Sequence, residues 1–212
     1  MESIYKSRGF ASCLKQGFVM VLANPLKMIK VMWWWILINA IVDVSIGLYS
    51  QKFVWDIING KLVVSSLILY YAVVIGALLL MVLLGLFAIV YFSKYVIRSE
   101  EKKFKVKKDK IFFKNFWSFL GVFIMSGILG GLLCLIPYTP CLIGSTAHSY
   151  YILSEQVYHD STFFPTSAYV AMFVINVVAL SIMEYLGLVV PASMVYKYGS
   201  IVYNQQIIKS DK

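Results

Sequence analysis

Residues 115–196 read NFWSFLGVFIMSGILGGLLCLIPYTPCLIGSTAHSYYILSEQVYHDSTFFPTSAYVAMFVINVVALSIMEYLGLVVPASMVY. These 82 residues contain no lysine and no arginine, although the chain carries 19 of them. Lys114 and Lys197 bracket the block. Basic residues of membrane proteins collect on the cytoplasmic side, because carrying them across a bilayer is disfavoured. The block therefore reads as an excursion through the membrane and back.

The rest of the chain agrees. Of 212 residues 60% are apolar and 14% charged, against roughly 45–50% and about 25% in soluble proteins. Mean hydropathy is +0.79. Several runs exceed the ~20 apolar residues that cross about 30 Å of hydrocarbon as a helix. The fold class expected is an all-α integral membrane protein, with residues 1–212 forming a single polytopic domain. Its net charge of +9 follows the topology, so a nucleic-acid partner is not implied.

Four spans are expected, over residues 31–49, 62–92, 116–136 and 166–190. The first carries Trp33, Trp34 and Trp35 at one end, where indoles favour the headgroup boundary. The second is too long for one perpendicular span and too short for two, and reads as a tilted helix. Pro137 and Pro140 are expected to stop the third. The segment 141–158 is too polar to face lipid and is placed as an external, interfacial or re-entrant helix.

Amphipathic helices are expected at both ends. Ser12, Lys15 and Gln16 mark the polar side of a helix from Phe10 to Ala23, which Asn24-Pro25 breaks. In the tail, Ser193, Lys197, Ser200 and Asn204 form a polar stripe opposite Met194, Val195, Tyr198, Ile201 and Val202. The first apolar run starts too far from the N-terminus for a cleavable signal peptide.

Nine of the basic residues fall in residues 94–114, five precede the first span and three lie in the tail. This distribution puts both termini and the 94–114 loop in the cytoplasm, in a bacterial inner membrane. The lipid bilayer is the expected partner. The basic loop also suits contact with anionic lipid, and a plain positive-inside anchor explains it equally well.

Asp43 and Glu184 are the acids inside the expected spans, and ionisable groups at membrane depth are costly and candidate functional positions. Counted from the inner boundary, Asp43 lies about 18 Å up and Glu184 about 9 Å, with Asn176 at about 21 Å and Asn39 at about 12 Å. Two rungs are therefore expected, Asp43–Asn176 and Asn39–Glu184, with the two acids apart from each other. Such rungs serve as glue between helices or line a proton or substrate path.

His148, Glu155 and His159 can share a helix face and have the chemistry of a zinc site with an open position. Their spacing matches no zinc signature. Cys134 and Cys141 flank the Pro137–Pro140 turn and can bridge or remain free. Gly127 and Gly131, with Gly130 and Ser126, would let a neighbouring helix approach closely, within the bundle or in self-association.

No phosphate-binding loop, nucleophile elbow or haem or cluster-binding cysteine pattern occurs. No cofactor is implied and no reactive cluster requires catalysis. The leading expectation is a non-catalytic accessory, assembly or scaffold subunit working with other membrane proteins. The alternative is a small transporter, or a substrate-binding transport subunit, using Asp43, Glu184, Asn39 and Asn176. The third is a metal-dependent membrane hydrolase.

Overall fold

In a computed structural model the structure describes residues 3–58, 60, 64–98, 115–158 and 166–210. Six helices follow in order: α1 (Phe10–Ala23), α2 (Pro25–Ile58), α3 (Val64–Arg98), α4 (Phe116–Tyr158), α5 (Thr166–Gly187) and α6 (Val189–Ser210). No strand occurs among the described residues. Four stretches are long and apolar enough to cross a membrane: Pro25–Gln51, Leu67–Arg98, Phe116–Ala147 and Val170–Gln205. The chain is a multi-pass α-helical membrane protein.

Residues cluster into two compact units. The first comprises Met1–Trp33, Leu86–Leu133 and Tyr185–Lys212, the second Trp34–Gly85 and Cys134–Glu184.

In the first unit, α1 buries Cys13, Leu14, Gly17, Met20 and Val21, the spacing of one helical face. That face packs along α6. Asn24 ends α1, and Pro25 opens α2 at its first position, where the missing N–H costs nothing and the fixed φ suits a helix. The tail differs from the expected solvent-facing stripe. Ser193 and Ser200 are buried, Lys197 is half-buried, and only Asn204 is exposed.

The reason is close approach. A methyl group on Gly17 would sit 2.7 Å from the Ser193 backbone nitrogen, and one on Gly199 would sit 2.9 Å from the Ile4 carbonyl carbon. Small side chains were needed here, and serine is small as well as polar. Arg8 adds its guanidinium over the Tyr196 ring at 5.1 Å. From α3, Ala88, Phe92 and Val96 are buried at helical spacing.

The last apolar stretch, Val170–Gln205, is not one unbroken helix. It breaks at Leu188, whose N–H bonds the Tyr185 carbonyl at 3.1 Å. Pro191 explains the position: its ring would clash with the carbonyl four residues back, at Gly187, so a continuous helix is disfavoured there. Set in the first turn of α6, the same proline is tolerated.

In the second unit, α2 extends well past Tyr49. Tyr70 of α3 stacks on Phe53 at 3.8 Å between ring centroids and on Tyr49 at 5.7 Å. Its hydroxyl donates to Ser50 Oγ at 3.2 Å.

The largest difference from the sequence reading lies in α4, where Pro137 and Pro140 sit inside one 43-residue helix. The expected stop at 136 is absent: the helix continues to Tyr158, and its apolar stretch to Ala147. Several of its hydroxyls bond within the helix. Thr139 donates to Leu135 O (3.0 Å), Ser145 and Thr146 to Leu142 O (3.0 and 2.7 Å), and Ser149 to Ser145 O (2.9 Å). Hydroxyls bonded in this way no longer demand water, so they do not force the segment out of an apolar environment.

Candidate functional site

The second unit gathers most of the polar side chains flagged at membrane depth. Asn39 and Asp43 lie one turn apart on α2, and so project from one face. Glu184 lies near the end of α5 and is bonded to the Asn39 side chain. In that bond the Asn39 amide nitrogen donates to the carboxylate. Asn39 is 4% exposed, and its side-chain oxygen is buried without a partner.

The Asp43 charge is felt at Glu184, an effect that acts over several ångströms and is compatible with the difference in depth of about 9 Å that helix rise implies. Two thiols border the acids. Cys134 Sγ donates to Met183 O at 3.7 Å and feels the Glu184 charge, while Cys141 feels that of Asp43.

Among the described residues no hydrogen bond joins Asn176 to Asp43. Asn176 lines a cleft of about 670 Å³ with Ile136, Thr139, Pro140, Ile143, Gly144, Met172 and Ile175. Pro140 has no N–H to give the Ile136 carbonyl four residues earlier, so this mostly apolar cleft carries two polar features, the Asn176 amide and that carbonyl.

All three cysteines are free. Cys134 and Cys141 are seven residues apart on a continuous helix, about 10.5 Å along its axis, beyond the ~7 Å Cα limit for a disulfide. The turn that would have brought them together does not form.

The zinc candidates cannot be assembled from what is described. His148 and Glu155 fall on α4 but their side chains lie outside the described residues, as does His159 altogether. Among the described residues no group of three or more His, Cys, Asp or Glu is arranged to hold a metal. Of the basic loop, Lys94–Arg98 belongs to α3 and residues 99–114 lie outside the described residues. Gly127, Gly130 and Gly131 have nothing within 4 Å of where a Cβ would stand among the described residues, although Ser126 and Gly130 are buried.

Sequence reasoning missed the two cysteines as neighbours of the acids. Their i, i+7 spacing would have placed them on one face had α4 been read as unbroken. No protein-family model matches the chain, and no curated protein or solved structure matches it either.

Proposed function

We propose that the protein is a small transporter, or the substrate-binding membrane subunit of one, with Asn39, Asp43 and Glu184 in its path. The observation that supports this reading is the bond between Asn39 of α2 and Glu184 of α5, in apolar helices, with the Asp43 charge felt at Glu184. Packing alone disfavours the two carboxylates, because two like charges in a poorly polarisable medium repel and each is costly to desolvate. A permeant species that needs negative charge or hydrogen-bond acceptors supplies a reason for the pair to exist. The Asn176 cleft is a second polar station in the same unit. Four spans make a thin bundle, so the path is completed by further copies or by partner subunits.

In this reading both termini and the 94–114 loop face the cytoplasm of a bacterial inner membrane, the loop against anionic lipid. The distribution of the 19 basic residues supports that orientation.

A second reading, an accessory or scaffold subunit, is favoured by α3. Only 6% of its apolar window is buried, leaving a long face for lipid or for another membrane protein.

Uptake by cells expressing the protein, measured over a panel of labelled amino acids, nucleosides, sugars and metal ions, separates the two. Transport predicts accumulation of a solute that Asp43→Asn and Glu184→Gln abolish at unchanged amounts of folded protein. No accumulation of any solute, together with loss of folded protein in both variants, supports the scaffold.

A further inference from the structure

We propose that Asp43, Glu184 and the side-chain oxygen of Asn39 form a binding site for one monovalent inorganic cation. The inference rests on the transport reading in one respect, the use of these residues for a permeant species rather than for packing alone. Three observations converge on it.

The first is charge. Two carboxylates come into electrostatic range, and the nearest lysines or arginines along their helices are Lys30 and Lys52 for Asp43 and Lys197 for Glu184. By helix rise the two on α2 lie about 20 and 14 Å from Asp43. The charged group acting on Glu184 among the described residues is Asp43, another anion.

The second is the orphaned acceptor. The Asn39 amide nitrogen is used by Glu184, and its oxygen is buried and unpartnered. A buried acceptor left unsatisfied costs roughly 1–3 kcal/mol. Because both atoms belong to one planar amide, the oxygen lies beside the group that holds Glu184. A ligand there meets acceptors from three side chains.

The third is size and donor chemistry. Asn39 is almost fully enclosed, which suits a bare or partly hydrated ion better than an organic ammonium. Two carboxylates and an amide oxygen are oxygen ligands, the kind hard cations prefer.

The test uses full-length protein in lipid nanodiscs. Thermal melting is followed at constant pH and ionic strength in sodium, potassium or N-methylglucamine chloride, alongside equilibrium dialysis with radioactive sodium and rubidium. A bound ion stabilises the folded state in proportion to its occupancy. Melting should therefore rise saturably with sodium or with potassium, and the label that is retained identifies which ion binds. Asp43→Asn and Glu184→Gln should each weaken retention by roughly tenfold or more, a factor corresponding to about 1.4 kcal/mol. If Glu184→Gln does not fold, Asp43→Asn, which leaves the Asn39–Glu184 bond in place, carries the test.

Equal melting in the three salts with no retained label overturns the site. So does a response to pH alone, which makes the counter-charge a proton, or a sodium effect that survives both substitutions. The transport reading fails separately. Solute uptake lost in these variants without ion binding leaves the path and removes the ion, whereas ion binding without any uptake or flux keeps the site and removes transport.

Discussion

The backbone N–H of Arg8 donates to Ser200 Oγ at 2.9 Å, and the Ser200 hydroxyl donates back to the Arg8 carbonyl at 3.1 Å. One serine thus satisfies both main-chain groups of a buried residue 192 positions away in the chain. The Arg8 guanidinium meanwhile donates to the Ile4 carbonyl at 3.1 Å. The N-terminal segment is pinned to α6 through these bonds, and α1 continues the seam.

Ser200→Ala removes both bonds that its hydroxyl makes to the Arg8 backbone. A loss of about 1–3 kcal/mol is expected, read as a lower melting temperature of the purified protein in detergent. Limited proteolysis should then cut before residue 10. Wild-type melting and an intact N-terminus would remove the seam.

Two glycines on different helices should respond in opposite ways. Gly17→Val drives a branched side chain into the Ser193 backbone, 2.7 Å from the first atom added, and overpacking of this kind costs about 1–3 kcal/mol. Gly127→Val enters open space, so its effect should stay within about 0.5 kcal/mol. Comparable melting of the two variants would contradict the packing described. A specific loss of oligomer in Gly127→Val, at unchanged monomer stability, would show that the patch serves self-association.

Burial pushes the Cys13 thiol above its ordinary value, with Lys197 and Arg8 partly offsetting the rise. The folded state therefore keeps a proton that the unfolded chain releases above about pH 8.5. Stability should fall as pH climbs past that point and continue to fall up to the raised folded value. Cys13→Ala should flatten this alkaline slope in melting curves. Maleimide should modify Cys13 in denatured protein far faster than in folded protein, and equal rates would contradict its burial.

Copper-phenanthroline treatment of the folded protein should give no Cys134–Cys141 bridge, detected by mass spectrometry of unreduced peptides. The helical rise holds these residues too far apart. Pro137→Ala with Pro140→Ala should leave the helix content unchanged, because the prolines interrupt hydrogen bonds without ending α4. A readily formed bridge, or a gain of helix in the double variant, would restore the turn.

Hydropathy and charge made the spans readable, and Asn24-Pro25 marked a boundary that the structure places within a residue. The prolines of α4 were misread because a proline inside a helix and one that ends a helix look alike in sequence. What decides is whether nearby hydroxyls and packing absorb the freed carbonyls. Within 141–158, hydroxyls such as Thr146 and Ser149 bond their own helix, which residue polarity alone does not show. Asn39, Asp43 and Glu184 stood out as costly groups in apolar runs. That the Asp43 charge is felt at Glu184 did not, because it depends on how the two helices are set against each other.

The sequence by itself determined that this protein lives in a bilayer, how many apolar helices it has, and that no lysine or arginine interrupts residues 115–196. Those are consequences of transfer free energies, which act residue by residue and need no partner. Only the tertiary structure decided that the polar stripe of α6 is a buried seam and that the Asn39 side-chain oxygen is left buried without a partner, whereas the Asn39–Glu184 pairing was already readable from helix rise. Those outcomes depend on how closely two helices approach and on which atoms remain unpaired when they do, quantities that belong to pairs of residues far apart in the chain.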